Sequence, residues 1–184
     1  MYLDEIVIGS KKIYSGKIIN LRIDKIKLPN NKITEREIIE HPGTSAIVPL
    51  TTDFNVILVE QHRKPTGQKL LEIPAGRLEN GEHPLDCAKR ELFEETSYKA
   101  GNIELINKFY TTPGFCDEII YLYLAEDLVV GTLDNIHYGE EFICVRKIKL
   151  NQALAKVYAG KIVDSKTIIG LLIVNSILKN RYIR

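Results

Sequence analysis

The run Gly76-Arg77-Leu78-Glu79-Asn80-Gly81-Glu82-His83-Pro84-Leu85-Asp86-Cys87-Ala88-Lys89-Arg90-Glu91-Leu92-Phe93-Glu94-Glu95-Thr96-Ser97-Tyr98 leads a glycine turn into a short helix bearing three carboxylates. Successive helical residues turn by about 100°, so steps of three and four bring Glu91, Glu94 and Glu95 to one side. Like charges at that spacing cost about 0.2–0.5 kcal/mol per pair, which leaves two readings of such a face. It is a solvated surface, or it is a place where hard cations neutralise the charge. Leu85, Ala88 and Leu92 fall roughly opposite and give the helix an inward side. Arg90 can hold one of the carboxylates by paired hydrogen bonds and keep it ionised. The nitrogen and sulfur ligands that zinc favours are absent nearby except for His83, read as part of the helix start, and Cys87, read as a small packed residue.

This stretch resembles the Nudix box, in which Gly, five residues, Glu, seven residues and Arg-Glu are followed by an apolar residue, any residue, Glu-Glu, any residue, Gly and an apolar residue. The chain matches at Gly76, Glu82, Arg90, Glu91, Leu92, Glu94 and Glu95, with Tyr98 in the last apolar place. Ser97 stands where the family has glycine, and the left-handed conformation needed there costs a non-glycine residue about 1–2 kcal/mol. The resemblance implies a metal shell made by the Ala75 carbonyl, Glu91, Glu95 and Glu94, with Glu82 and Arg90 supporting it and Gly76 beside the substrate. The implied cofactor is Mg²⁺, with Mn²⁺ able to substitute, at two or three ions per site. Such cations take oxygen ligands and keep several waters.

A second constellation, Thr112-Pro113-Gly114-Phe115-Cys116-Asp117-Glu118, follows the box, and Pro113 lies fifteen residues beyond Tyr98. The spacing and the Pro-Gly-Phe-x-Asp-Glu run resemble the ADP-ribose pyrophosphatase branch of the Nudix hydrolases. Similar stretches surround Arg36, Arg63 and Gly160 to Thr167, so the resemblance covers almost the whole chain. It implies hydrolysis of ADP-ribose to AMP and ribose 5-phosphate. Arg63 would reach the phosphates, Arg36 would lie near the adenine of a partner subunit's site, and Pro113 and Gly114 would line the substrate. The stretch from Gly131 to Glu141 resembles the loop that brings an acid to the metals, with Glu141 the first choice, Glu140 the second, and Glu94 a further catalytic carboxylate. Two alternatives stay open. One is a pyrophosphatase for another nucleoside diphosphate sugar or a dinucleotide, and the other a non-catalytic nucleotide-sensing domain.

The rest of the chain fits a small-molecule enzyme. Its 184 residues, 45% hydrophobic and 27% charged, suffice for one substantial core with an appendage. A formal net charge of +1 argues against a broad nucleic-acid surface. Three scattered cysteines form neither a disulfide framework nor a metal pair, and the acidic N-terminus lacks a secretory pattern; both predict a cytoplasmic protein. No apolar run is long enough for a membrane span. Strands are expected from Lys12 to Glu40, with a bulge where the apolar phase shifts between Ile23 and Ile26. Further strands are expected at 46–50, 55–60, 69–73, 103–110, 119–125 and 141–148, and helices at Pro84 to Thr96, Asn151 to Ala159 and Ser165 to Asn180. The expected fold is α+β, an α/β/α sandwich around a mixed sheet, preceded by an N-terminal antiparallel hairpin. Residues 1–42 form the expected β region that joins a homodimer, and residues 43–184 the catalytic domain.

Overall fold

The computed structural model describes residues 3–131 and 142–182. The chain divides into two compact units, one of Met1–Gly43 with Phe109–Ile119 and the other of Thr44–Lys108 with Ile120–Arg184.

The first unit is built on an antiparallel sheet of β1 (Ile6–Ser15), β2 (Asn20–Lys27) and β3 (Ile33–Glu40), in the order β1-β2-β3. Strands β2 and β3 pair without interruption from Asn20↔Glu40 to Lys27↔Ile33. The expected bulge is therefore not in β2; the register skips instead on β1, between Val7 and Gly9 and between Lys12 and Tyr14. Asp24 explains the misleading phase, because this carboxylate occupies a buried position on the same side as Ile26, each 3% exposed. Both its oxygens accept from Arg22 Nε at 3.1 Å, so a polar residue fills what the pattern reserves for an apolar one. Strand β1 also begins six residues before the expected Lys12. All ten of its side chains are exposed, so no alternation marks it. The segment from Phe109 to Ile119 joins this unit by pairing with the end of β3. Ile39 N–H donates to Phe115 O at 2.7 Å and Asp117 N–H to Ile39 O at 3.2 Å.

In the second unit a mixed sheet runs in the order β7 (Ala75–Arg77), β4 (Thr44–Pro49), β9 (Ile119–Val130), β8 (Tyr98–Tyr110). Strand β4 is parallel to β9 and antiparallel to β7. Helix α1 (Pro84–Thr96) sets Ala88 and Leu92 into one cluster with Ile47, Tyr123 and Ala125. Helix α3 (Ser165–Tyr182) covers the other face, where Gly170 sits so close that a Cβ would fall 2.8 Å from Val48 Cγ2. Neighbours along a strand point to opposite faces, so Ile47 and Val48 meet different helices and the sheet is sandwiched. That is why β4 is buried at every residue and shows no alternation. A separate antiparallel sheet, β10 (Ile143–Lys149), β5 (Asn55–Arg63) and β6 (Gln68–Glu72), packs β5 against helix α2 (Leu150–Tyr158). Val56, Ile57, Leu58 and Val59 are at most 2% exposed. Burying each such side chain contributes about 1.5–3 kcal/mol. Among the described residues no helix is long and apolar enough to cross a membrane.

The ends of α1 follow from its sequence. His83 Nδ1 accepts from Leu85 N–H at 3.3 Å, and Pro84 starts the helix where a backbone donor is not needed. Ser97 ends it at φ 63°, ψ 10°, with its N–H donating to Phe93 O. A serine in that left-handed conformation is strained. Ser97→Gly is expected to raise stability by about 1 kcal/mol with turnover unchanged, read as a higher calorimetric midpoint. A lower midpoint would contradict the strain.

Candidate active site

Strand β7 and helix α1 bring the expected metal-binding residues together. Gly76 faces the Glu91 carboxylate so closely that a Cβ would lie 1.8 Å from Oε1, so any other residue here would push that carboxylate aside. One turn along the helix, Glu95 Oε2 accepts from Ala75 N–H at 3.1 Å. Two carboxylates thus converge on adjacent residues of one short strand. The Glu91 side chain is only 13% exposed.

Glu94 is placed differently. Its side chain is 57% exposed and its Oε2 accepts from Arg90 Nη1 at 3.1 Å. It follows Arg90 by four residues and so sits above the guanidinium. Arg90 grips Glu82 at both oxygens, Nε to Oε1 at 2.9 Å and Nη2 to Oε2 at 3.0 Å, and also donates to Glu91 Oε1 at 2.6 Å. The Arg90 hydrogen bonds hold the Glu82 carboxyl down at about 2. Glu82 in turn accepts from Glu79 N–H at 2.9 Å and closes the loop between β7 and α1. Arg90 and Glu82 therefore support the helix start and the Glu91 carboxylate.

Among the described residues no group of three or more His, Cys, Asp or Glu side chains forms a ready-made metal cluster. What is present is a pair of carboxylates beside strand backbone. That all-oxygen donor set fits a hard divalent cation that keeps waters and takes further oxygens from substrate. Cys87 is engaged with the backbone instead, its Sγ 3.5 Å from both Gly76 O and Arg77 O, and burial pushes its thiol up to about 11. Cys87 and His83 are structural, as their positions predict.

Arg36, Pro113 and Gly114 belong to the first unit, where Arg36 Nη2 meets Glu5 Oε1 at 2.6 Å. Pro113 and Gly114 form the exposed turn after Thr112, whose carbonyl accepts from Phe115 N–H and Cys116 N–H. Glu140 and Glu141 lie outside the described residues. Arg63 is in the second unit, and Glu72 binds it in a bidentate pair, with Nε to Oε1 at 2.8 Å and Nη2 to Oε2 at 2.9 Å.

Glu72 belongs to a buried network that no motif marks. It is 1% exposed and also accepts from Lys166 Nζ, which donates to Asp164 Oδ1 at 2.9 Å. Asp164 Oδ2 accepts from both the N–H and the hydroxyl of Thr167, at 3.0 and 2.6 Å. The available signal was a carboxylate set between Leu71 and Ile73, in a strand otherwise apolar there.

The NUDIX domain family model matches residues 41–165. ADP-ribose pyrophosphatase of Bacillus subtilis (strain 168) is 43% identical over 165 residues, covering 90% of this chain and 89% of the relative. The methanol dehydrogenase activator of Bacillus methanolicus is 40% identical, covering 91% of each chain. A crystal structure of an ADP compounds hydrolase superposes with a TM-score of 0.85 at 18% identity, over 99% of this chain and 98% of the other, and shares its fold. The chain belongs to the Nudix hydrolase family, whose members generally use divalent metals such as Mg²⁺.

The buried network carries a pH dependence of known sign. Burial pushes the Glu72 carboxyl up, but the Arg63 hydrogen bonds and the Lys166 charge outweigh it, leaving it below the ordinary 4.5. A lowered folded-state value means stability present above the unfolded pKa and lost as pH falls through the folded one. Glu72→Gln should cost about 1.5–3 kcal/mol in urea unfolding at pH 7, by taking from the buried Lys166 ammonium one of its two carboxylate partners. The gap from the parent should narrow below pH 4.5. A gap that stays constant with pH would show that Glu72 is not ionised.

Proposed function

We propose that this chain hydrolyses ADP-ribose to AMP and ribose 5-phosphate. The observation that carries the reading is the convergence of Glu91 and Glu95 on Ala75 and Gly76, which supports a cation site beside a substrate diphosphate. Substrate choice rests on likeness to the Bacillus subtilis ADP-ribose pyrophosphatase. In this reading Glu91, Glu95 and the Ala75 carbonyl hold two or three Mg²⁺ ions per site, with Glu94 completing the set and Mn²⁺ able to substitute. When bound, the ions neutralise the diphosphate and lower the pKa of a water for in-line attack on phosphorus.

The chain's own groups do the rest. Glu141, or failing it Glu140, orients that water and accepts its proton. Gly76 lets the strand approach the substrate, Arg63 supplies positive charge to the phosphates, and Pro113 and Gly114 bound the nucleotide. Arg36 of a second copy stacks on the adenine, so the homodimer is the working unit. Exposed apolar side chains on the N-terminal sheet, among them Ile6, Val7, Ile13 and Tyr14, support pairing between copies. The reading places the enzyme in the cytoplasm.

Electrostatic stabilisation of phosphoryl transfer is worth several kcal/mol, so Glu95→Gln should lower turnover by about 10²-fold or more. Folding should survive, since the amide oxygen can still accept from Ala75 N–H. Chromatography of products from a panel of nucleoside diphosphate sugars and dinucleotides with Mg²⁺ identifies the substrate. Parental turnover by Glu95→Gln would reduce the carboxylate face to mere surface, and binding of ADP-ribose without turnover would make the chain a sensor.

A shared site has its own test. Heterodimers of an Arg36→Ala subunit with a Glu95→Gln subunit should recover part of the activity that each homodimer lacks. Subunit exchange without recovery would place Arg36 outside the neighbouring site.

A further inference from the structure

Ile73, Pro74 and Ala75 make the corner between β6 and β7, and each directs a backbone group to a different element. The Ile73 N–H donates to Thr167 Oγ1 of α3 at 2.8 Å, in the buried interior. Pro74 O accepts from Ile47 N–H of β4 at 2.9 Å, and Ala75 N–H donates to Glu95 of α1. The last ladder pair of β6 is Val59↔Glu72, so the Ile73 N–H has left the sheet and needs another acceptor. Thr167 supplies it.

The hydroxyl is held in that role. A threonine oxygen donates one proton and accepts in two directions. Here the proton goes to Asp164 Oδ2, which leaves Oγ1 facing Ile73 as an acceptor. Thr167 is 0% exposed, so no water competes. Asp164 is anchored in turn by Lys166, and Lys166 by Glu72, the residue just before the corner. The network therefore grips the chain at Glu72 and Ile73, three and two residues ahead of Ala75.

We infer that Thr167, oriented by Asp164, is a positioning residue for the candidate metal site: its hydroxyl fixes the Ile73–Ala75 corner in register with Glu91 and Glu95. The inference rests on the metal-site reading given above. Helix anchoring alone does not require a hydroxyl here, since Asp164 already caps α3 and an apolar side chain would fill the same space. The hydroxyl is required where one backbone N–H must be met at one place.

Mn²⁺ binding to the full chain without substrate, followed by electron paramagnetic resonance at a temperature well below unfolding, tests this. Outer-shell partners of metal sites typically govern affinity by about 10- to 100-fold. Thr167→Val should weaken Mn²⁺ binding by about tenfold or more, whereas Thr167→Ser, which keeps the hydroxyl, should stay within about twofold of the parent. If Thr167→Val is not recovered folded, Thr167→Ala removes the same acceptor without a branched methyl against Asp164. Parental affinity in the folded Val or Ala variant overturns the positioning role while leaving the metal site standing. Equal loss in the Ser variant also overturns it, since bulk and not the hydroxyl would then matter. Glu95→Gln separates the two readings: if it binds Mn²⁺ as the parent does, the metal site itself fails and the positioning role falls with it.

Discussion

The structure of the second unit depends on the contact between Gly76 of β7 and Glu91 of α1. A carboxylate 13% exposed lies where any other residue would place its Cβ, so strand and helix approach closely enough that a side chain at this place would displace it. The approach requires α1 to lie flat on the sheet, which the Ala88 and Leu92 contacts with Ile47 and Tyr123 enforce. It also requires β7 to stay in place, although a strand of three residues has only three partners on β4. The corner bonds of Ile73, Pro74 and Ala75 provide what so short a ladder cannot.

Electrostatics completes the constraint. Glu82, Glu91 and Glu94 share the guanidinium of Arg90, which touches all three. Arg90 relieves the repulsion expected along the helix and holds Glu82 ionised. Carboxylates beside strand backbone are the kind of donor that hard divalent ions take, and Glu91 and Glu95 are the ones that reach Gly76 and Ala75.

Much of this was legible in the sequence because it is local. The range of α1, its His83 start and its left-handed Ser97 follow from spacing within some fifteen residues. Helix α3 begins at Ser165 behind the Asp164 cap, again a local signal, although it runs on to Tyr182. Long-range features were hidden. Asp24 in a buried strand position shifted the apparent phase of β2, and fully exposed β1 carried no alternation to read. Helical spacing placed Glu94 with Glu91 and Glu95 but could not show which of them Arg90 would hold, and it holds both Glu91 and Glu94. The network of Glu72, Lys166 and Thr167 joins residues 94 apart in sequence, and nothing in either segment names its partner.

That network also bears on why charge is buried here at all. A buried ion pair is weak ground for stability, because desolvation offsets most of the attraction and a well-packed apolar replacement often does as well. Its distinctive property is direction. Apolar side chains between β6 and α3 would hold the helix on the sheet but would tolerate sliding of a few tenths of an ångström. Hydrogen-bonded charges have one arrangement that satisfies every donor, and a shift leaves one of them unpaired in the interior. Arg63, Glu72, Lys166 and Asp164 thus fix the β6 end and the first turn of α3 relative to each other. Thr167 then passes that fixed relation to Ile73. Along this route the corner that leads into β7 takes its position from α3.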